Sequence, residues 1–100
     1  MAEFKIARLR DLSEGCGLQV DVGGDAVALF RVQGKVYATS GTCPHKGGPL
    51  GDGEVNNGYV SCPWHGWQFE IMTGQCHGRA SKSIITYPVR VDSEYIYIEK

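Results

Sequence analysis

The sequence has no long apolar run; "AVALF" at 26–30 is typical of its hydrophobic stretches. A membrane-spanning helix needs about 20 consecutive apolar residues, so none is expected. The opening "MAEFKIARLR" is charged where a secretory signal needs an apolar stretch, which predicts a cytoplasmic protein. Charge of one sign is lacking too. The net value of −1 gives no support to a nucleic-acid partner or an anionic membrane surface. No segment carries a helical period, and "RDLSEG" at 10–15 makes one turn at most. There is no internal repeat and no low-complexity tract. Histidine is scarce, with three in the chain, and the four cysteines are Cys16, Cys43, Cys62 and Cys76. In a reducing compartment such cysteines bind metal or stay free more often than they pair.

What the sequence does have is strand after short strand. One hundred residues with 42% hydrophobic content predict one soluble domain over 1–100. "FKIARL" alternates over 4–9 and "LQVDV" over 18–22. "AVALFRV" and "KVYAT" flank Gln33-Gly34, a two-residue hairpin turn, and "EVNNGYVSC" carries Asn57-Gly58 in the same role. A third hairpin puts "WQFEI" before Thr73-Gly74, and "ITYPVRV" joins "EYIYIE" through Asp92-Ser93. Pro88 suits an edge strand or a bulge. The fold class is all-β, a small antiparallel barrel or sandwich. Fourteen glycines point to tight turns or close backbone approach.

Two stretches resist the strand reading, "SGTCPHKGGPLGDG" at 40–53 and "CPWHGW" at 62–67. Each joins a cysteine to a histidine around proline and glycine. The pattern is Cys43-x-His45 and, after sixteen residues, Cys62-x-x-His65. Two thiols and two imidazoles make a complete four-ligand set on two loops joined by one hairpin. Zinc accepts that set in tetrahedral geometry, yet its common finger form groups both cysteines before both histidines. Here each loop supplies one of each. That alternation suits a binuclear centre in which one metal takes both cysteines and the other both histidines. Gly47, Gly48, Gly51, Gly53 and Gly66 would let backbone amides approach bridging sulfides. A structural zinc module and a Cys62–His65 thiol catalyst are the alternatives from other classes.

"CPHKGGPL" with "CPWHGWQFE" resembles the two cluster-binding boxes of Rieske-type [2Fe–2S] proteins, across about residues 40–70. The resemblance implies one [2Fe–2S] cluster per chain in a subdomain of two Gly/Pro-rich loops. It implies Cys43 and Cys62 on one iron, and His45 and His65 on the other. "HGWQF" at 65–69 is most similar to ferredoxins and oxygenase components of the family, and to small subunits of nitrite reductases. An oxygenase adds a mononuclear iron held by two histidines and a carboxylate. Only His77 remains for that, so the chain reads as an electron carrier without catalytic residues. The implied partners are a flavin-dependent ferredoxin reductase and a terminal oxygenase or reductase subunit.

Departures from the family bear on the potential. Respiratory relatives carry a further cysteine in each loop, joined as a brace; Gly48 and Trp64 stand at those positions here. The same relatives place a serine and a tyrosine where this chain has Trp67 and Phe69, so two hydroxyl donors to the cluster are missing. Fewer donors predict a potential near the low end of the Rieske range, about −150 mV. The two histidines keep the oxidised site near neutral, because two thiolates balance the cluster and imidazoles add no charge. Trp64 and Trp67 are expected to shield the loops, with Trp64 partly exposed. Pro49 and Leu50 are docking residues or loop packing. Cys16 and Cys76 are free thiols or core, His77 is a turn residue, and Arg79 with Lys82 is a mildly basic rim or a solvated loop.

Overall fold

The computed structural model describes residues 2–64 and 66–100. Among the described residues ten strands run in chain order: β1 Glu3–Arg8, β2 Gly17–Val22, β3 Asp25–Val32, β4 Lys35–Ser40, β5 Glu54–Asn56, β6 Tyr59–Ser61, β7 Gln68–Glu70, β8 Thr86–Tyr87, β9 Val89–Val91 and β10 Tyr95–Glu99. Single 3-10 turns lie at Leu9–Asp11, Leu50–Asp52 and Ala80–Lys82. All pairings are antiparallel, in sheets ordered β1-β10-β9, β2-β3-β4-β8 and β5-β6-β7. This is the expected all-β architecture. No helix of the described residues is long and apolar enough to cross a membrane.

β3 explains how one small chain builds two cores. Its apolar run from Val27 to Phe30 is fully buried on both faces, as a continuous rather than alternating run requires. Val27 and Leu29 pack with Leu12, Val22, Ala38, Ile96 and Ile98 between the two larger sheets. Ala28 and Phe30 point the other way, into a cluster with Leu50, Val60, Phe69, Ile71, Ile84 and three cysteines. Each such side chain contributes roughly 1.5–3 kcal/mol on leaving water. The second core lies beneath the small third sheet, so the segments that resisted the strand reading rest on packed hydrocarbon.

Turn chemistry sets the register. Gln33 and Gly34 take φ values of 52° and 78°, and Asn57 and Gly58 take 53° and 81°. Both pairs have the left-handed backbone that matches hairpin twist. Glu14 reaches across to the first of these turns, where its carboxylate accepts N–H bonds from Gln33 and Gly34 at 2.7 Å each. The Gly34 and Gln33 donors hold that carboxyl below its ordinary range.

Two expectations need correction. "ITYPVRV" is not one strand. Pro88 divides it into β8, which pairs with β4, and β9, which pairs with β10. Both are edge strands of their sheets, as the proline led one to expect, and Pro88 is the point where the chain leaves one sheet edge for another. Its missing N–H breaks the ladder there, and its carbonyl accepts from the Glu99 amide at 3.1 Å. The return from Thr73-Gly74 likewise builds no strand. One bridge, Phe69 to Cys76, is all that pairs there.

Candidate metal centre

Two loop tips carry the cysteines, and their backbones repeat one design. The first tip runs from Cys43 to Gly48, closed at its base by the Thr42–Pro49 bridge. The second runs from Cys62 to Trp67, closed by the Ser61–Gln68 pair of β6 and β7. In the first, the Cys43 amide donates to the Gly48 carbonyl at 2.9 Å and Gly47 donates to the Cys43 carbonyl at 2.8 Å. In the second, Cys62 donates to the Trp67 carbonyl at 2.7 Å and Gly66 to the Cys62 carbonyl at 2.9 Å. Gly47 and Gly66 occupy equivalent places with φ of 78° and 73°, a conformation that side chains other than glycine adopt at a cost. Each loop therefore presents its leading cysteine inward from a tight, glycine-closed turn.

The thiols meet in the second core. Cys43 is 1% exposed and Cys62 3%. Burial pushes the Cys43 thiol up; hydrogen bonding with Cys62 and the field of its sulfur add to this. The backbone N–H groups of His45 and Lys46 oppose it by pointing at the Cys43 sulfur. Two buried thiolates side by side repel each other unless a cation lies between them. N–H donors aimed at a sulfur are what a bound thiolate uses. The pair therefore fits a metal centre better than an inert core contact.

The imidazole side differs. His45 is exposed and stacks on Trp67, with centroids 4.4 Å apart and planes 7° from parallel. The Arg79 guanidinium lies 4.3 Å from the Trp67 ring. Trp67 also packs against the second core, so it ties the rim of the site to the interior. The predicted ligand His65 lies outside the described residues. Among the described residues no group of three or more His, Cys, Asp and Glu converges: the structure brings Cys43 and Cys62 together and leaves His45 on the rim.

Other predicted residues sort cleanly. Leu50 is fully buried, so it is packing and not a docking residue. Trp64 is 57% exposed. An added Cβ on Gly48 would lie 3.2 Å from its ring, so positions 48 and 64 face each other across the tip with an aromatic ring where a brace could stand. Cys76 belongs to the core, Cys16 is exposed, and all four cysteines are free thiols. His77 is exposed beside Tyr59, edge-on at 5.8 Å.

Gln19 was missed. Its Nε2 donates to the Gly41 carbonyl at 2.8 Å and its Oε1 accepts from the Gly51 amide at 2.6 Å. One side chain on β2 thus staples both ends of the first loop. Gly41 and Gly51 are required for the close approach, since a Cβ on either would come within 2.6 Å of Gln19. Replacing Gln19 with leucine should leave the Gly51 amide unpaired in a half-buried place, while the Gly41 carbonyl keeps its bond from the Leu50 amide at 3.0 Å. Such a loss costs about 1–3 kcal/mol. Denaturant titration of the metal-free chain checks this, and an unchanged midpoint would remove Gln19 from the account.

Comparison with known proteins places these features. A family model described as "Rieske [2Fe-2S] domain" matches residues 2–88. The chain is 34% identical over 92 residues to the ferredoxin component of the naphthalene 1,2-dioxygenase system of Pseudomonas putida, covering 91% of this chain and 88% of that one. It is 33% identical over 97 residues to human apoptosis-inducing factor 3. There it covers 96% of this chain but spans only 16% of the relative's length. Among solved structures, the ferredoxin of carbazole 1,9a-dioxygenase from Nocardioides aromaticivorans IC177 superposes with a TM-score of 0.88 at 29% identity, covering 98% of this chain and 97% of that one.

Proposed function

The chain belongs to the Rieske [2Fe-2S] domain family, and on that premise we propose that it is a one-electron carrier whose cluster is held by Cys43, His45, Cys62 and His65. Residues 1–100 form one such domain in this reading, with the ligand loops in the stretch 40–70. The observation that carries the ligand assignment is the pair of matched loops delivering two buried thiols to one point. A bound [2Fe–2S] cluster supplies a reversible one-electron couple. Cys43 and Cys62 bind from the interior, and the amides of His45 and Lys46 donate toward the Cys43 sulfur. Trp67 orients the His45 ring by stacking. Leu50, Val60 and Phe69 exclude water from the inner side, and Trp64 covers the tip at Gly48.

The relatives' names support a role as the ferredoxin component of an oxygenase system, passing electrons to a terminal oxygenase; the donor in this reading is a flavin-dependent ferredoxin reductase. A cytoplasmic location suits such a carrier. Iron and sulfide analysis with EPR of the reduced protein tests the ligand reading. About two irons and two sulfides per chain, with a reduced-state signal, are expected. A colourless protein holding one zinc would replace it with a structural zinc module.

The potential follows from what surrounds the sulfurs. Phe69 is fully buried in the core and Trp67 stacks on His45, and neither carries a hydroxyl. Gly48 and Trp64 supply no disulfide. A midpoint near about −150 mV is expected. A redox titration settling well above zero would show that other donors compensate.

A further inference from the structure

The described ion pairs, Arg8–Glu94, Arg90–Glu3 and Lys100–Asp25, all involve the strands and turns of the two larger sheets. The loops around the metal centre are different. Segments 41–49, 62–67 and 76–83 hold Lys46, Arg79 and Lys82 and no acidic residue. All three cations are exposed. They form one edge: Arg79 covers Trp67, Trp67 stacks on His45, Lys46 follows His45, and the Lys82 amide donates to the Arg79 carbonyl at 2.9 Å. On the flanks, exposed Asp52 follows the first loop, and Glu70 lines a cleft with Tyr59, Gln75, Cys76, His77 and Gly78. The chain has ten basic and eleven acidic residues, so everything outside these loops is net negative by four. A nearly neutral protein is therefore a dipole with its positive end at the metal centre. The same end exposes Trp64 at 57%, the kind of aromatic anchor that interfaces favour.

We propose that the edge formed by Lys46, Arg79 and Lys82, with Trp64 beside it, is the docking surface for an electron-exchange protein that is acidic around its own redox centre. This rests on the carrier reading above and adds the sign of the partner's charge. Like charge on the acid-rich remainder turns such a partner away from unproductive faces. Attraction at the basic edge presents the histidine side of the site first. A second copy of the chain does not suit this edge, because two cationic rims repel. One electron crosses in each encounter, and no bond forms or breaks.

The test uses the cluster-loaded protein and electrodes as surrogate partners, a carboxylate-terminated monolayer and an amine-terminated one. EPR of the sample before voltammetry keeps the two claims apart, since a sample without a cluster rejects the carrier reading itself. With the cluster present, electron exchange should be about tenfold or more faster at the carboxylate surface, and this preference should shrink as salt shortens the Debye length below about 10 Å. The whole-chain charge of −1 predicts the reverse order. The double variant Arg79→Glu with Lys82→Glu should lose the preference or invert it while keeping the EPR signal. Equal or faster exchange at the amine surface would overturn the proposal. So would a preference that survives charge reversal, or no exchange at either surface. Dimerisation by sedimentation that these two substitutions abolish would assign the edge to a second copy instead.

Discussion

Replacing Cys62 with serine is expected to abolish cluster incorporation while leaving a folded chain. Serine is nearly the same size, but its hydroxyl does not ionise near neutral pH and is a poor partner for iron that wants a soft thiolate. Iron should fall from about two per chain to near zero, with loss of the reduced-state EPR signal. The fold should survive, because a hydroxyl in place of a buried thiol costs about 1–3 kcal/mol against a domain stability of roughly 5–15 kcal/mol. Cys76 provides the control. It is 2% exposed, against 3% for Cys62, and packs in the same core cluster. Its sulfur faces the His77 carbonyl at 3.9 Å. Cys76→Ser should therefore carry the same stability cost and keep the cluster. If burial alone explained these cysteines, the two variants would lose iron equally. A full EPR signal in Cys62→Ser would remove it from the ligand set.

The strands were legible where local chemistry dictates them. The Gln33-Gly34 and Asn57-Gly58 turns demand left-handed backbone, and the apolar run of β3 has no solvent face. The pairing of Cys43 with Cys62 was legible because two rare residue types recur in two glycine-rich loops. The stretch across Pro88 was misread as one strand for a definite reason. Alternation looks the same on either side of it, and nothing local tells which sheet each half joins. Gln19 was invisible because a polar residue in an alternating strand reads as a solvent-facing one. Its partners, Gly41 and Gly51, are distant in sequence, and only the fold brings them to it. Arg79 was left undecided between a rim and a solvated loop, and its seat over Trp67 decides for the rim. A signal existed there, since an acid-free run from Ile71 to Val91 contains three cations.

Gly48→Ala is expected to release the cluster about tenfold faster or more, an effect out of proportion to one methyl group. The added Cβ would sit 2.7 Å from the Cys62 sulfur and 3.2 Å from two ring carbons of Trp64, where ordinary contact is about 3.5–4.0 Å. Something has to move. Trp64 is more than half exposed and can swing outward at little cost, whereas the Cys62 sulfur is buried and fixed by its loop. The displacement therefore falls on the ligand, and metal sites tolerate only about 0.2 Å. Gly47→Ala separates this from a backbone effect. A Cβ there meets nothing within 4 Å, but φ is 78°, so about 1–2 kcal/mol of strain enters with no push on a sulfur. That variant should lose stability and keep its cluster. Removing the ring as well, in Gly48→Ala with Trp64→Ala, relieves one contact and leaves the sulfur contact in place. Cluster loss should stay fast in that double variant. Recovery to the original rate would transfer the effect to the tryptophan, and the close approach of Gly48 to Cys62 would then have no part in holding the cluster.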